Sequence, residues 1–308
     1  MANTTSRPRN QCVRGLAVGR SVRLIAVQAT ALADELRTAH DAGPVGTAVL
    51  GRMACAALLL SVTLKERQQI GVQVNGDGPM GEAYAVADWL GRVRVTVADP
   101  KVQLADGLSL DEGIVNAVGQ GRLTVIKQLT DGQPYKGIVP LVSGRIADDL
   151  AHYLLTSEQV HSAVALGEIF DKDGVVSVGG LMLQAMPGAN GALLDDIIER
   201  FEALPPVGEL FATHDDPKHI LESLADDFEC VDEREVRFHC PCSREQFARR
   251  LCALGESSLK SLTEDDDEAT AICHFCGARY VFTREQLNAL LYGARMYDQA
   301  EQGRGDHD

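Results

Sequence analysis

Four cysteines in two close pairs near the end of the chain constrain its folding more than any other feature. The segment "HCPCSREQF" contains Cys240 and Cys242, and "CHFC" contains Cys273 and Cys276. Two pairs of thiolates brought together by a hairpin or a helical excursion match the tetrahedral, sulfur-rich shell that zinc prefers. A short, charged segment also needs such a link, because its own core would hardly offset its chain entropy. We therefore predict a zinc-binding module over residues 240–298, with these four thiols as ligands.

The spacing within the pairs also suits redox chemistry. In Cys240-Pro-Cys242 an oxidant that attacks one thiolate finds a resolving thiol close by on the chain. Oxidation to disulfides would remove the metal ligands. A structural zinc supplies on the order of 10 kcal/mol of folding free energy in small modules, so its loss should unfold this one. Chemistry at sulfur would then act as a conformational switch.

Two other functions of the paired cysteines stay open. A thiol-disulfide oxidoreductase would need the first thiol at a helix N-terminus, whereas the "GARYVF" that follows Cys276 is typical of a strand. A nucleic-acid-binding zinc ribbon would need basic surroundings, and acidic residues prevail here. Several arginines nevertheless keep that alternative open: Arg244, Arg249, Arg250, Arg279, Arg284 and Arg295.

The two histidines beside the cysteine pairs and the four other cysteines have simpler interpretations. His239 and His274 flank the cysteine pairs, but four sulfurs already complete a tetrahedral shell. Cys252 lies on the helical pattern "REQFARRLCAL" and is interpreted as a small core residue. The other thiols have no partner at a useful spacing: Cys12, Cys55 and Cys230.

One glycine-rich segment resembles a phosphate-binding fingerprint. "GDGPMG", Gly76 to Gly81, matches G-x-G-x-x-G, but alternating strand residues follow it and no helix N-terminus is available for a pyrophosphate. We interpret it as a tight hairpin turn.

No Ser/His/Asp or paired-carboxylate constellation is evident in the first domain, so we predict no catalytic residues and no enzymatic activity.

Composition and charge narrow the class of protein. The chain has 308 residues, of which 45% are hydrophobic, and this length suggests roughly two domains. A formal net charge of −15 argues against nucleic-acid binding and against attraction to an anionic membrane. The longest apolar run, Ala54 to Val62, is shorter than the roughly 20 residues of a membrane span. Without an export signal, clustered cysteines indicate metal or redox chemistry in a reducing compartment, and we expect a cytoplasmic protein.

Hydrophobic periodicity predicts an α+β fold with a hairpin-rich antiparallel sheet in its core domain. Gly15 to Ala29 alternates like one strand, and the spacing from Thr30 to Lys65 predicts two helices broken at "AGP". Period-two segments from "IGVQVNG" to "KGIVPLV", separated by turn signals, predict antiparallel hairpins. A helix over "IADDLAHYLLTSEQV" and a hairpin with its turn at Asp171 to Gly174 follow.

The same patterns divide the chain into three parts. The β-rich core domain is predicted over residues 1–187. Two amphipathic helices, "ALLDDIIERFEAL" and "HILESLADDF", separated by the Pro-rich and acidic "PPVGELFATHDDP", predict a helical, metastable linker over 188–239. The zinc module follows over 240–298, with "TEDDDEAT" as a charged loop before its second cysteine pair.

These residues together resemble the heat shock protein 33 family, a group of redox-regulated, zinc-containing holdase chaperones. The resemblance spans nearly the whole chain and is most specific in "CPCS" followed by "CHFC". Five further segments carry it: "VRG" at 13–15, "TLK" at 63–65, "GDGP" at 76–79, "YLLTSEQV" at 153–160 and "GGLMLQAMPGA" at 179–189.

The resemblance implies a function for the switch. It implies that the four cysteines bind zinc when reduced and form the disulfides Cys240–Cys242 and Cys273–Cys276 under oxidative stress. The linker would then unfold, and the protein would dimerise and bind unfolding client proteins without ATP. Released apolar side chains could contact a client: Leu193, Leu194, Ile197, Ile198 and Phe201. The extra thiols Cys230 and Cys252 and the acidic loop depart from the family pattern and leave the exclusivity of this disulfide pairing open.

Overall fold

The structure is a computed structural model of the chain. It describes residues 10–130, 133–189, 191–214, 216–265 and 267–293, apart from the side chains of residues 191–193 and 263–265. Contacts divide the chain into two compact units, Met1–His239 and Cys240–Asp308, which we call the core unit and the C-terminal unit. Both contain helices and predominantly antiparallel strands, so the predicted α+β fold is confirmed.

The first sheet of the core unit has five antiparallel strands in the order β10-β1-β2-β9-β8. Its β8–β9 hairpin has its turn where the sequence predicts it, between Asp171 and Gly174. Its strands have these bounds: β1 Gln11–Ala17, β2 Val22–Gln28, β8 Ser162–Asp171, β9 Gly174–Ala185 and β10 Glu229–Glu235.

The second sheet has six strands in the order β11-β5-β4-β3-β6-β7, and all neighbours are antiparallel except β11 and β5. This is the hairpin-rich region that the alternating segments predict. Its strands have these bounds: β3 Gln69–Gly76, β4 Glu82–Asp88, β5 Arg92–Val97, β6 Gly121–Gln128, β7 Tyr135–Pro140 and β11 Arg237–Phe238.

The main hydrophobic core of the core unit forms around the helix α2, Pro44–Ser61, which contacts strands of both sheets. α1, Thr30–His40, precedes it, α3, Leu110–Val118, lies between β5 and β6, and α4, Ile146–Thr156, precedes β8. Within the described residues, α2 is the one helix whose length and composition would allow it to cross a membrane. However, 94% of it is buried inside the protein. That degree of burial is what a core helix shows.

The predicted linker belongs to the core unit in the structure. Its helices are α5 Gly191–Glu202, α6 Val207–Thr213 and α7 Pro217–Leu224. "PPVGELFATHDDP", interpreted from the sequence as a connection, therefore contains a helix, which begins directly after Pro206. Residues 229–235 and 237–238 are strands and not helix, because β10 pairs with β1 at an edge of the first sheet and β11 pairs with β5 at an edge of the second sheet.

The C-terminal unit is small. Among the described residues it contains α8 Arg244–Cys252, α9 Glu256–Asp265, the antiparallel hairpin of β12 Glu268–Ile272 and β13 Arg279–Thr283, and a helix, α10, at 284–293. Its hydrophobic cluster centres on Leu259, Phe282 and Leu287. "TEDDDEAT" is not a free loop, because it contributes the end of α9 and the start of β12.

Two further local predictions differ from the structure. The alternating run from Gly15 to Ala29 is a hairpin and not one strand, because the backbone turns through positive φ at Val18, Gly19 and Arg20. α3 was not predicted, although Ser109 and Glu112 form a capping box at its start.

The "GDGPMG" segment forms the β3–β4 turn, in agreement with the sequence interpretation. Its backbone N–H groups are already paired with protein carbonyls: Gly78 donates to Val118 at 3.1 Å and Met80 to Ala117 at 3.0 Å. A Cβ at Gly76 would lie 1.8 Å from the Val118 carbonyl oxygen. The glycines therefore let the turn approach the end of α3 closely.

A four-cysteine candidate metal site

Two short chain segments of the C-terminal unit carry the four cysteines. Cys240 and Cys242 directly precede α8, whose N-cap Ser243 accepts a hydrogen bond from the Gln246 N–H. Cys273 and Cys276 lie in the turn between β12 and β13. That turn is closed by hydrogen bonds from the Cys273 N–H to the Ala278 carbonyl at 2.9 Å and from the Gly277 N–H to the Cys273 carbonyl at 2.8 Å. Gly277 has a φ of 69°, a conformation that glycine adopts without strain.

The fold brings all four sulfurs together. Their Sγ atoms lie within 4.8 Å of one another. Cys240 Sγ is 3.6 Å from Cys273 Sγ, and Cys242 Sγ is 3.4 Å from Cys276 Sγ. A zinc–sulfur distance of about 2.3 Å implies a separation of about 3.8 Å between the sulfurs of a tetrahedral shell. The cluster therefore has the size and the ligand type for one tetrahedral metal ion.

Burial and hydrogen bonding act differently on the four thiols. Burial raises the pKa of Cys240 to about 11 and also raises the pKa of Cys276. At Cys242 burial disfavours the thiolate, but hydrogen bonds from the Tyr280 hydroxyl and the neighbouring thiols outweigh burial and lower its pKa. Four thiols this close cannot all become anions without a compensating cation, since like charges repel strongly at such separations. A metal ion supplies that compensation.

Tyr280 is a site residue that the sequence interpretation missed. Its hydroxyl lies 3.2 Å from Cys242 Sγ and 3.2 Å from the Cys242 carbonyl oxygen, so its one proton can be donated to either acceptor. Its ring packs against Phe247 of α8 with 5.0 Å between ring centroids. Tyr280 thus links the first cysteine pair to β13. The available signal was its place in the strand-like segment "GARYVF", four residues after Cys276.

The other candidate ligands lie outside the cluster. Within the described residues, the group of side chains able to hold a metal contains the four cysteines and neither His239 nor His274. Cys252 lies on α8 as predicted, and its thiol donates to the Leu290 carbonyl at 3.6 Å. Cys230 is half-buried on β10, and burial raises its pKa.

Cys12 and Cys55 are buried in the main core. Burial raises the pKa of Cys12 to about 12, and it also raises the pKa of Cys55. Such thiols are poor nucleophiles, because the thiolate is the reactive form.

Some arginines of the C-terminal unit have internal partners. Arg244 donates to the Val281 carbonyl at 2.6 Å and lies over the Phe282 ring. Arg250 lies over the Phe247 ring, and Arg284 pairs with Asp267 at 3.1 Å. Arg295 lies outside the described residues. The basic side chains that kept a nucleic-acid function open are thus partly engaged within the unit.

An apolar face lies in the core unit. One face of the five-stranded sheet, with Val13, Leu24, Leu181 and others, is covered by buried side chains of the predicted linker. These come from α5, α6, α7 and the residue after α7: Ile197, Phe201, Val207, Leu210, Phe211, Ile220, Leu221, Leu224 and Ala225. We call this contact the linker–sheet interface. Leu194 and Ile198 are only half-buried there, and the Leu193 side chain lies outside the described part.

Comparison with known proteins decides the family. A family model described as Hsp33 protein matches residues 10–283. The chain belongs to the Hsp33 family. It is 38% identical to a 33 kDa chaperonin from Geobacter sp. (strain M21), with 91% of this chain and 96% of that protein aligned. It is 36% identical to the 33 kDa chaperonin of Bacillus subtilis, over 90% of this chain and 97% of the relative.

A solved structure of the family agrees with the fold. The crystal structure of a 33 kDa chaperonin, the heat shock protein 33 homologue from Thermotoga maritima, matches with a TM-score of 0.85 at 30% identity. The match covers 92% of this chain and 98% of that structure. The resemblance stated from the sequence motifs is confirmed, and the protein is a chaperone by family.

Proposed function

We propose that this protein is an oxidation-activated holdase, a chaperone that binds unfolding proteins without ATP and does not turn over a substrate. The observation that carries the proposal is the single cluster formed by Cys240, Cys242, Cys273 and Cys276 in a chain of a chaperone family. Cysteine pairs that are metal ligands when reduced and disulfides when oxidised make the fold depend on redox state. We place the protein in the bacterial cytoplasm, where thiols are normally kept reduced.

The four cysteines are proposed as zinc ligands in the reduced, inactive state. When bound, zinc would hold the sulfurs as thiolates and tie the start of α8 to the β12–β13 turn. The unit needs such a tie, because its buried cluster centres on only Leu259, Phe282 and Leu287 among the described residues, and α8 buries no residue fully. Tyr280 would hold Cys242 in place from outside the shell.

Activation is proposed as oxidation of both pairs. The two thiolates of a pair would lose two electrons and form one disulfide, while one peroxide molecule would take up these electrons with two protons from water and become two molecules of water. Oxidation of both pairs would leave the zinc ion without its four ligands, so it would be released. Cys240 directly follows His239, whose N–H donates to the Val93 carbonyl at 2.9 Å. Unfolding that begins at the cysteines would therefore first reach β11, the last strand of the predicted linker, and then the rest of the linker along the continuous chain.

Release of the linker would uncover the client-binding surface. The linker–sheet interface buries apolar side chains on both sides, and each is worth roughly 1.5 to 3 kcal/mol when fully buried. Once α5, α6 and α7 leave, the sheet face and the released helices both present this surface to an unfolding client or to a second copy of the chain. Carboxylates of the linker would keep the opened state soluble. We propose that the active form is a homodimer.

Zinc content tests the proposed ligand set. Changing Cys242 to Ser should weaken zinc binding by more than the about 10- to 100-fold typical of losing an outer-shell partner, because a tetrahedral shell needs all four sulfurs. We expect the same loss when Cys240, Cys273 or Cys276 is changed to Ser. Competition with a chromogenic chelator measures the affinity for zinc. The matched control is Cys252→Ser in the same unit, which should keep its zinc. Unchanged affinity in Cys242→Ser would remove that residue from the site.

Mass spectrometry of the oxidised chain tests the disulfide pairing. The shortest sulfur contacts run across the pairs, from Cys240 to Cys273 and from Cys242 to Cys276. We nevertheless expect the disulfides Cys240–Cys242 and Cys273–Cys276, because partners with only one or two residues between them stay close after the unit unfolds, whereas sulfurs on separate segments move apart. Peptides linked across the pairs, or through Cys230 or Cys252, would contradict this pairing.

A further inference from the structure

A cavity of about 380 Å³ in the core unit has no role in the proposed switch. It lies where β9 ends and the linker begins. Side chains from separate elements line it, including Arg23 of β2, Lys127 of β6, Tyr153 of α4, Gln184 of β9 and Met186 directly after β9. Glu158 completes its polar part.

The motifs by which the chain resembles its family, apart from the cysteines and "GDGP", meet at this cavity. "TLK" supplies Thr63, "YLLTSEQV" supplies Tyr153 and Glu158, and "GGLMLQAMPGA" supplies Gln184 and Met186 among others. "VRG" supplies Arg14, which donates to the Val62 carbonyl at 2.8 Å, directly before Thr63. Neither the metal site nor the linker–sheet interface explains why polar residues of these motifs are brought together.

The cavity has an excess of positive charge. Glu158 is engaged twice, since Lys127 Nζ pairs with it at 2.6 Å and the Tyr153 hydroxyl donates to it at 2.5 Å. Within the described residues Arg23 has no carboxylate partner, and its Nη1 donates to Gln184 Oε1 at 3.1 Å. Arg14 forms no ion pair there either, and its Nε is buried without a hydrogen-bond partner. Burial and then the charge of Arg14 lower the pKa of Arg23.

Two neighbouring, partly buried guanidinium groups without an acidic partner destabilise the folded protein unless an anion reaches them. The chain has a net charge of −15, so carboxylates are abundant in the sequence, and yet within the described residues none forms an ion pair with these two arginines. The other walls of the cavity are apolar and include Leu154, Val160 and Met182. An amphipathic ligand would satisfy both parts of the cavity.

We infer that this cavity binds a small organic anion, with a carboxylate or phosphate group on Arg23 and an apolar body against Leu154, Val160 and Met182. Arginine binds both groups through paired N–H donors, and Lys127 adds a second positive charge at the cavity. A mostly apolar wall with few convergent polar groups is typical of small-molecule sites.

Isothermal titration calorimetry of the reduced, full-length protein tests the inference. The probes are hexanoate, phenyl phosphate, inorganic phosphate and hexylammonium. We expect hexanoate or phenyl phosphate, whichever group the cavity takes, to bind at millimolar or lower concentration, inorganic phosphate to bind more weakly, and hexylammonium not to bind. Absence of binding by both organic anions, or equal binding of hexylammonium, would overturn the inference.

Two variants localise the binding. Arg23→Gln should weaken the binding of the organic anion at least about tenfold, because a charge-assisted hydrogen bond is lost. Gln184→Glu places a carboxylate beside Arg23 and should weaken binding to a similar degree without lowering the melting temperature, so it remains informative if Arg23→Gln does not fold. Arg122→Gln, an exposed change on β6, is the matched control and should bind normally. Wild-type affinity in Gln184→Glu would contradict the site. Zinc content and chaperone activity do not enter this test.

Discussion

Peroxide-treated protein is expected to suppress the aggregation of an unfolding client at stoichiometric amounts, while the reduced protein leaves aggregation unchanged. In the reduced structure the linker–sheet interface is closed, with Ile197, Phe211 and Leu221 almost completely buried. A holdase needs exposed apolar surface, and this surface becomes available only when the linker leaves. Light scattering of a thermally unfolding client, without nucleotide, measures the difference.

The comparison needs two controls. Protein that is oxidised and then reduced again with dithiothreitol and zinc should lose its activity, because restored thiolates rebuild the metal site. Cys252→Ser should be activated like the unchanged chain. Equal suppression by the reduced and oxidised forms would rule out the switch. Catalytic turnover of a small dithiol, with no suppression in either form, would instead support the thiol-disulfide oxidoreductase.

Local sequence patterns predicted the parts of the fold that depend on local contacts. α1 and α2 follow from apolar spacing and the break at "AGP", and the β8–β9 hairpin follows from its turn residues. The strand β10, "ECVDERE", could not be predicted in this way. Its residues alternate between exposed and half-buried, none is fully buried, and its pairing with β1 across a long sequence separation holds it in the sheet. Strand formation at such an edge depends on the partner more than on its own composition.

The same distinction applies to the candidate site. Cys240, Cys242, Cys273 and Cys276 could be identified because each pair is close in sequence, and the structure places their sulfurs together. The role of Tyr280 could not, since its contact with Cys242 arises only when β13 lies beside the start of α8. The cavity at Arg23 was also invisible in the sequence, because its lining comes from three of the quoted motifs and from other strands and helices far apart in the chain.

The linker can be tested separately from the metal by changing Phe211 to Ala. Phe211 of α6 is 3% exposed and packs on β9, where a Cβ at Gly179 would lie 2.1 Å from its ring. Removing a buried phenylalanine typically costs about 3 to 5 kcal/mol. If that loss falls on the docked linker, local opening should become about two to four orders of magnitude more frequent. We therefore expect partial activity of Phe211→Ala in the reduced, zinc-bound state.

Hydrogen exchange shows whether this opening is confined to the linker. In Phe211→Ala, exchange should rise across residues 188–239 and remain unchanged in β3, β4 and β6, which form the other sheet. Glu209→Ala, an exposed change on the same helix, is the matched control and should leave both exchange and activity unaltered. If Phe211→Ala raises linker exchange but the reduced protein still does not bind clients, the linker–sheet interface is not the client surface. If oxidation of the unchanged chain does not raise exchange in the same residues, the cysteines do not control the linker, even where the zinc site itself is correct.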